Sequence, residues 1–395
     1  VVSQHVAIQK KGVNHVGLCP FHSEKTPSFT VSQSGQFYKC FGCGKSGDVF
    51  RFQQEINGQS FPEAVEALAK NFNFLIERSD KTPVNDSEYQ RIENLYVTNA
   101  SVWQWYVERS DFEFQDSFVN LDGRKFQPET IRHFGVALLP DGNGLSEKYQ
   151  SLHLDAPVLE MLGMLKRGDH QNVYDVFRNR ILFPIRTVNG KIAGFAGRKR
   201  LAASSKSAKY INSVESDIFK KSGLLFGLFE NKKFIREKQT VILVEGYFDA
   251  LSIWEAGFQN VIASCGTAVN EEHAGIISKF AERVILVLDG DDAGRKATEK
   301  AWRTLEKSGL FVQVCDMPEG KDPDLFIREC GADAFKNLIE TEAVDAVIWF
   351  ANREIVKSGN DSLVLHKLAG KLVEYFKQTP FKSLYTKWRQ GILQI

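Results

Sequence analysis

Short apolar runs alternate with helical patterns in the second half of the chain. From Thr240 onward the runs read "TVILVEG", "NVIAS", "RVILVLDG" and "FVQVCDM", and a helical pattern separates each from the next. Continuous apolar strands of this length are typical of a mostly parallel sheet with helices on both faces. After about Ala343 the pattern predicts helices to the end of the sequence. The second half is therefore predicted to be an α/β domain followed by a helical segment.

The first half has a different pattern. The segment "SFPEAVEALAKNF" predicts an amphipathic helix, and "RILFPIRTVNGKIAGFAG" predicts an antiparallel hairpin that turns at Asn189 and Gly190. Glu77 to Glu88 is polar and contains Pro83, which is typical of a linker. These changes in pattern predict segments at 1–76, 77–88 (the linker), 89–239, 240–342 and 343–395.

Composition excludes several classes of protein. Of 395 residues, 43% are hydrophobic and 25% charged, and no apolar run reaches the length of about 18 residues that a membrane helix needs. Three of the six cysteines cluster near His22, and the others are isolated in apolar segments. This usage argues against a disulfide framework and predicts a reducing, cytoplasmic setting. The sequence starts at Val1 rather than Met, so we expect a fragment of a longer protein.

Charge is unevenly distributed, although the net charge is only +1. From Lys166 to Lys233 there are 15 Lys and Arg residues against 5 Asp and Glu residues. From Thr240 to Glu340 there are 10 against 18. A basic block beside an acidic block is the charge pattern expected of a polyanion-binding surface next to a divalent-metal site.

A cysteine and histidine cluster lies near the start of the chain. Cys19 and His22 are separated by two residues, as are Cys40 and Cys43, and a hairpin-length segment joins the pairs. This spacing suits tetrahedral zinc, and a Cys3His set leaves no open coordination position, so the predicted zinc site is structural. The alternative is three free thiols and a surface histidine.

Carboxylates follow three predicted strands of the second half. Glu245 ends the first run and Asp289 the third, with Asp291 two residues later across Gly290, which we expect to let the backbone turn. Asp322 and Asp324 follow the fourth run. Parallel strands end at one edge of a sheet, so these oxygens should gather where Mg²⁺ or Mn²⁺ could bind. The alternative is helix capping, by Asp291 or Asp292 and by Asp322 or Asp324.

Three blocks of the sequence resemble one protein family. Glu245 with the "DGD" of the third run resembles a Toprim domain. "CPFH…KTPSF…CFGCG…GDVF" resembles the zinc-binding module of DnaG-type bacterial primases, and "RNRILFPIRTVNGKIAGFAGRK…KYINSVESDIFKKSGLLFG" is similar to their polymerase core. The resemblance implies an α/β multidomain protein with a zinc ribbon, a mixed α/β basic subdomain, a Rossmann-like Toprim subdomain and C-terminal helices.

The resemblance also implies an activity. A primase of this family makes short RNA primers on single-stranded DNA from ribonucleoside triphosphates, by nucleotidyl transfer with two metal ions. Glu245 and Asp289 would hold one Mg²⁺ or Mn²⁺ and Asp289 with Asp291 a second, while Asp324 would complete the acidic shell. Residues expected to contact template or nucleotide are Arg178, Arg180, Arg198, Lys209, Tyr210, Asn212 and Lys221.

Further partners and two alternatives follow from the same resemblance. The zinc module would hold the template, and the full-length parent would bind a replicative helicase at the replication fork. One alternative is the primase part of a phage-type primase–helicase. The other is a recombination mediator that combines zinc and Toprim modules and binds DNA without catalysis, but the long basic block counts against it.

Overall fold

The computed structural model describes residues 1–22, 24–59, 61–74, 76, 86–115, 117–168, 172–201, 207–359 and 361–393. Residues 77–85 of the predicted linker lie outside the described residues, and its last three residues, 86–88, belong to a helix instead. The chain divides into two compact units, Val1–Glu230 and Asn231–Ile395. Within the described ranges, no helix combines the length and apolar character needed to cross a membrane.

The first unit begins with a five-stranded antiparallel sheet and two helices. Its elements are β1 (Ile8–Lys11), β2 (Asn14–Gly17), β3 (Phe29–Ser32), β4 (Phe37–Cys40), β5 (Ser46–Gly47), α1 (Val49–Asn57) and α2 (Phe61–Asn71). The predicted zinc-module hairpin is confirmed, since Phe29 of β3 pairs with Cys40 of β4. The rings of Phe29 and Tyr38 stack at 5.3 Å and are buried with Phe52, so these aromatics form the core of the small module.

The rest of the first unit has two small antiparallel sheets, a larger one and short helices. Its elements are α3 (Asp86–Glu108), β6 (Glu113–Gln115), β7 (Phe118–Leu121), β8 (Arg124–Phe126), α4 (Pro128–Phe134), β9 (Ala137–Leu138), α5 (Gly144–Lys148), α6 (Ala156–Met161), β10 (Leu165–Arg167), β11 (Val173–Asp175), β12 (Arg180–Arg186), β13 (Ile192–Lys199) and β14 (Tyr210–Asn212). The sheets have the orders β6-β7-β8, β10-β11 and β14-β13-β12-β9.

The hairpin of β12 and β13 is the centre of this part of the chain. Arg180 pairs with Lys199, and the predicted turn at Asn189 and Gly190 joins the two strands. Helix α3 packs on β13, where the buried Asn99 amide donates to the carbonyls of Ile192 and Ala193 at 3.0 and 2.8 Å. The free ends of the hairpin therefore carry the basic residues that border the predicted nucleic-acid surface.

The second unit alternates strands and helices. Its elements, after α7 (Leu228–Lys238), which crosses the unit boundary, are β15 (Thr240–Val244), α8 (Tyr247–Glu255), β16 (Val261–Ala263), α9 (Glu271–Ile277), β17 (Arg283–Leu286), α10 (Asp292–Lys307), β18 (Phe311–Val314), α11 (Pro323–Cys330), α12 (Ala332–Glu342), β19 (Val344–Asp345), α13 (Ala346–Ser358), α14 (Ser362–Gln378) and α15 (Tyr385–Leu393).

The sheet of the second unit has the order β16-β15-β17-β18-β19. The first four of these strands are parallel, as the apolar runs predict, and Leu243 of β15 lies opposite Leu286 of β17. The edge strand β19 is antiparallel and is absent from the sequence prediction, because two residues are too short to give a periodic signal. Its Asp345 accepts hydrogen bonds from Trp388 and Lys387 at 2.9 and 2.8 Å, which fastens α15 to the sheet edge.

Candidate metal centres and nucleic-acid interface

The predicted zinc ligands lie together in the first unit. The potential ligand atoms of Cys19, His22, Cys40 and Cys43 all lie within 4.8 Å of one another. Cys19 Sγ lies 3.8 Å from Cys43 Sγ, close to the ligand–ligand separation that zinc–sulfur bonds of about 2.3 Å give in a tetrahedron. Three soft sulfur atoms and an imidazole fit zinc, which the ribbon holds as a structural ion.

Backbone amides prepare the Cys40 sulfur for metal binding. The N–H groups of Gly42 and Cys43 both donate to Cys40 Sγ at 3.3 Å. Burial raises the pKa of the Cys40 thiol, but hydrogen bonds from Ser28 and from these N–H groups outweigh burial and lower the pKa overall. Thiolate is the form that binds metal, so the lowered pKa favours the ligand state.

Glu24 supports this site and was missed by the spacing argument. Its carboxylate lies 3.2 Å from Nε2 of His22 and accepts the Cys19 N–H at 2.8 Å. A carboxylate on Nε2 favours the tautomer that leaves Nδ1 as the ligand, and Nδ1 is the atom 3.8 Å from Cys40 Sγ. The signal was available in the sequence, since Glu24 is two residues from His22.

The predicted carboxylates gather at the carboxyl end of the parallel sheet in the second unit. Glu245 directly follows β15, and Asp289 follows the neighbouring strand β17. Burial raises the pKa of Glu245, and the charges of Asp289 and Asp291 raise it further. This electrostatic coupling follows from the proximity of the three groups, as expected for adjacent strand ends.

Gly290 is required by a close approach rather than by an unusual backbone angle. Its φ angle is not positive, so other residues could adopt this backbone conformation. A Cβ at this position, however, would meet the backbone carbonyls of Met317 and Pro318. Its N–H donates to the carbonyl of Lys321 at 3.1 Å. The loop after β18 therefore lies directly against the "DGD" turn and brings Asp322 towards it.

Three of the acidic side chains also have local roles at helix starts. Asp291 is the N-cap of α10 and accepts the Gly294 N–H at 2.7 Å through Oδ1. Asp322 caps α11 in the same way by accepting the Leu325 N–H at 2.6 Å. Asp292 is the first residue of α10 and is exposed. Capping and metal binding are compatible for Asp291, because capping uses only one carboxylate oxygen.

Asp249 and Ser252 of α8 link the loop that carries Glu245 to the start of α11, which carries Asp324. The buried Asp249 carboxylate accepts the N–H groups of Gly246 and Asp324, both at 3.1 Å. Burial, with the nearby Asp322, Asp289 and Asp324 charges, raises its pKa to about 8.

The Ser252 hydroxyl donates to Asp324 at 2.8 Å, and Arg328 lies 3.3 Å from the other Asp324 oxygen. Asp324 is therefore buried with both oxygens engaged. These tertiary links join residues about 75 positions apart and leave no sequence pattern.

The donor chemistry of the acidic cluster fits a hard divalent ion. Among the residues that the structure describes, however, only the zinc ligands form a group of three or more His, Cys, Asp or Glu side chains whose ligand atoms surround one ion position. Glu245, Asp289 and Asp291 are neighbours that do not converge on a single point, as mutually repelling carboxylates should not. The assignment of these three and of Asp324 to Mg²⁺ or Mn²⁺ stays a prediction.

The predicted nucleic-acid residues lie around the ends of β12, β13 and β14. Arg198 pairs with Tyr210, and its guanidinium lies 5.9 Å from the Tyr210 ring centre. Arg178 is exposed and covers the ring of Tyr174 at 5.0 Å. A surface groove of about 410 Å³ runs beside Arg178, Arg180 and Lys199. The groove thus combines cations and rings, as single-strand binding requires.

The remaining predicted contacts differ in accessibility. Arg180 is only 6% exposed and donates to the carbonyls of Gly197 and Ala208 at 3.0 Å each, so it holds the groove floor together. The Lys209 side chain is exposed. Asn212 lies on β14, and Lys221 is in a short 3₁₀ turn.

Three family models match consecutive parts of the chain. They are described as "CHC2 zinc finger" for residues 1–83, "DNA primase catalytic core, N-terminal domain" for 107–232 and "Toprim-like" for 242–327. The DNA primase of Halalkalibacterium halodurans is 37% identical over 87% of this chain and 57% of its own length. That of Clostridium acetobutylicum is 37% identical over 89% and 58%. The chain thus spans less than two thirds of these relatives.

Solved structures give the same family. The zinc-binding and RNA polymerase domains of the Aquifex aeolicus primase are 32% identical, with a TM-score of 0.60, and the match covers 95% of this chain and 93% of that one. A DnaG primase catalytic domain bound to single-stranded DNA is 27% identical, with a TM-score of 0.65 and coverage of 78% and 100%.

The fold and its two sites define a protein with a zinc ribbon, a basic core and a Toprim domain in that order. The chain belongs to the DnaG-type DNA primase family.

Proposed function

We propose that this chain synthesises RNA primers on single-stranded DNA as the zinc-binding and catalytic part of a primase. The observation that carries the proposal is the meeting of Glu245, Asp289 and Asp291 at neighbouring ends of parallel strands. Burial raises the pKa of Glu245, and the charges of the two nearby aspartates raise it further. Such a cluster of hard oxygen donors is suited to phosphoryl chemistry, which helix capping by Asp291 alone does not account for.

In the reaction, a ribose 3′-hydroxyl attacks the α-phosphate of a nucleoside triphosphate, and pyrophosphate leaves. Two Mg²⁺ or Mn²⁺ ions would neutralise the phosphate charge and align the attacking oxygen. Glu245 with Asp289 would hold one ion and Asp289 with Asp291 the other, so Asp289 has the central position. Asp324 would complete the acidic shell.

Neighbouring residues orient these ligands. Asp249 bonds both to the loop after β15, which carries Glu245, and to the start of α11, which carries Asp324. Because both strand-end loops are fixed to one buried carboxylate, the ligands keep their relative positions when substrate enters. This is the preorganisation that nucleotidyl transfer depends on.

The basic groove is the proposed template and nucleotide site. Its contacts would be Arg178, Arg198, Lys209, Tyr210, Asn212 and Lys221, whereas the buried Arg180 stabilises the strands beside them. The zinc ribbon would hold the template, joined to the core by the predicted linker at 77–88. The segment boundaries 1–76, 89–239, 240–342 and 343–395 belong to this proposal. The proposal also includes a replicative helicase as the partner of the full-length protein, and a cytoplasmic location at the replication fork.

The comparisons support this function over its alternatives. The matches to DNA primases run through the zinc, core and Toprim parts together. The recombination mediators that combine zinc and Toprim modules lack a long basic block between the two, whereas this chain has one from Lys166 to Lys233. The primase part of a phage-type primase–helicase is not favoured by matches to bacterial primases.

A primer-synthesis assay with labelled ribonucleotides on defined single-stranded DNA tests the proposal. We expect short RNA products that require added Mg²⁺ or Mn²⁺, and we expect Glu245→Gln to remove them. Glu282→Gln, at an exposed glutamate before β17, is the matched control and should retain activity. A chain that binds the template but makes no product with either metal would be a binding protein and not a primase.

A further inference from the structure

A narrow slot adjoins the basic groove in the first unit and is not explained by the roles above. It lies between the carboxyl end of α3 and the loop that follows β9. The residues around it are Trp105, Tyr106, Arg109, Leu139, Pro140, Asp141, Gly142, Gly144, Asp175 and Arg178. Its volume of about 30 Å³ has room for roughly two water-sized groups, so it can admit one or two oxygens of a phosphate but not a nucleobase.

Two guanidinium groups border the slot. Arg109 is exposed and lies over the ring of Trp105 at 5.0 Å, and Arg178 lies over the ring of Tyr174 at 5.0 Å. The rings help to orient both cations, and Arg178 also donates to the backbone carbonyl of Asp175 at 3.0 Å. Planar guanidinium donors on two sides of a small space match the oxygens of a phosphate.

Tyr106, one of the residues that line the slot, has an unpaired hydroxyl. Tyr106 is 2% exposed, and its Oη has no hydrogen-bond partner within the described structure. A buried polar group without a partner is unfavourable, so a ligand oxygen that accepts from this hydroxyl would be bound more tightly. Gly144 keeps the slot open, because a Cβ there would lie 3.1 Å from the Trp105 ring.

The acidic groups of the slot are directed elsewhere. The two carboxylate oxygens of Asp175 accept the N–H groups of Leu145 and Ser146, each at 2.7 Å. Asp141 is exposed and accepts the N–H of Gly142 at 2.9 Å. The slot therefore presents hydrogen-bond donors to a ligand despite two nearby carboxylates.

The slot and the 410 Å³ groove share Asp141, Asp175 and Arg178. A nucleotide could thus place its phosphate in the slot and its sugar and base in the wider groove. We propose that the slot binds a nucleotide phosphate, with Arg109 and Tyr106 as contacts beyond the predicted groove residues. The inference rests on the proposed function, and the phosphate belongs either to a DNA strand or to a free triphosphate.

The test uses the full zinc-loaded chain and four variants. Arg109→Ala removes a cation and Arg109→Lys retains it, while Tyr106→Phe removes only the unpaired hydroxyl. Arg132→Ala, at an exposed arginine of α4, is the matched control. Fluorescence anisotropy measures the affinity for a labelled 20-nucleotide oligothymidylate at several salt concentrations, and competition with ATP measures triphosphate binding.

If the phosphate belongs to the strand, Arg109→Ala should weaken oligonucleotide binding about fivefold and lower the salt slope by roughly 0.7. Arg109→Lys should keep the slope, and Tyr106→Phe should weaken binding without lowering the melting temperature. If the phosphate belongs to a free triphosphate, Arg109→Ala should instead weaken the competition by ATP and leave oligonucleotide binding unchanged. Equal effects of Arg109→Ala and Arg132→Ala in both measurements would overturn the proposal.

The binding assays need no chemistry, so they separate this inference from the proposed function. Loss of binding in Arg109→Ala together with no primer synthesis by the wild-type chain would support the slot and refute the primase activity. If the wild-type chain makes primers while Arg109→Ala binds both the oligonucleotide and ATP as the wild type does, the primase activity would be supported and the slot proposal refuted.

Discussion

Gly290 connects residue-scale packing with the proposed chemistry. An added methyl group would meet two backbone carbonyls of the loop after β18, and backbone cannot move aside as a flexible side chain can. We therefore expect Gly290→Ala to shift Asp289 and Asp291 relative to Glu245. A displacement of about 1 Å at reacting groups lowers a rate by about a hundredfold.

Primer synthesis and thermal melting of Gly290→Ala would be measured beside Gly275→Ala. A Cβ at Gly275 in α9 meets nothing within 4 Å, and alanine there should stabilise the helix by about 0.5–1 kcal/mol. Full activity of Gly290→Ala would show that the close approach does not position the carboxylates.

Zinc binding gives a second residue-scale prediction. Cys40→Ala removes a ligand that also accepts two backbone N–H groups, so the zinc content of the purified chain should fall from about one ion towards zero. Cys330→Ala, at an exposed cysteine of α11, is the control and should keep its zinc. Atomic absorption decides the outcome, and an unchanged zinc content in Cys40→Ala would refute the ligand assignment.

The role of a residue can be predicted from sequence when its contacts are with residues nearby in the chain, and not when they are with residues far away in it. The zinc ligands were predictable because Cys19 and His22 are local neighbours and zinc imposes a fixed geometry. The positions of Glu245 and Asp289 after neighbouring strands were predictable because both residues follow apolar runs. Arg180 also looked like a surface cation, but it is buried through contacts with Gly197 and Ala208 that only the folded sheet creates.

At the scale of elements, α10 and α14 meet at a buried acid. Tyr375 of α14 donates to Glu306 of α10 at 2.7 Å, and burial raises the pKa of Glu306. The folded chain therefore holds this proton more tightly than the unfolded chain. The associated stability is present below the ordinary glutamate pKa and is lost as pH rises through the higher folded-state pKa.

Glu306→Gln keeps the acceptor for Tyr375 and removes the titration. We expect its stability relative to wild type to increase from pH 4 to pH 8, measured by urea unfolding at a series of pH values. Glu299→Gln, on the same helix but partly exposed, should show a smaller change. A constant difference between Glu306→Gln and wild type across this range would contradict the raised pKa.

Strands that lie in continuous apolar runs were predictable, and strands without such a run were not. The runs that became β15 to β18 are continuous and apolar because both faces of a parallel sheet are covered. Strands β1 (IQKK), β2 (NHVG) and β19 (VD) contain no continuous apolar run, so nothing in the local sequence marks them as strands. The hairpin of β12 and β13 was visible because Asn189 and Gly190 supply its turn.

At the scale of the whole molecule, two compact units divide the predicted functions. The unit Val1–Glu230 contains the zinc ribbon and the basic groove, and Asn231–Ile395 contains the acidic cluster. The charge asymmetry of the sequence follows this division closely. Sequence alone could therefore predict the separation of the basic block from the acidic block, whereas the narrow slot beside α3 required the folded structure.

The central claim is that the acidic cluster catalyses primer synthesis, and Asp289 tests it most directly because it belongs to both proposed metal pairs. Primer synthesis on single-stranded DNA would be compared for wild type, Asp289→Ala and Asp292→Ala, with circular dichroism as the check on folding. We predict a loss of at least about a hundredfold for Asp289→Ala. We predict near wild-type activity for Asp292→Ala, whose side chain is exposed. A folded Asp289→Ala chain that makes primers at the wild-type rate would contradict the account.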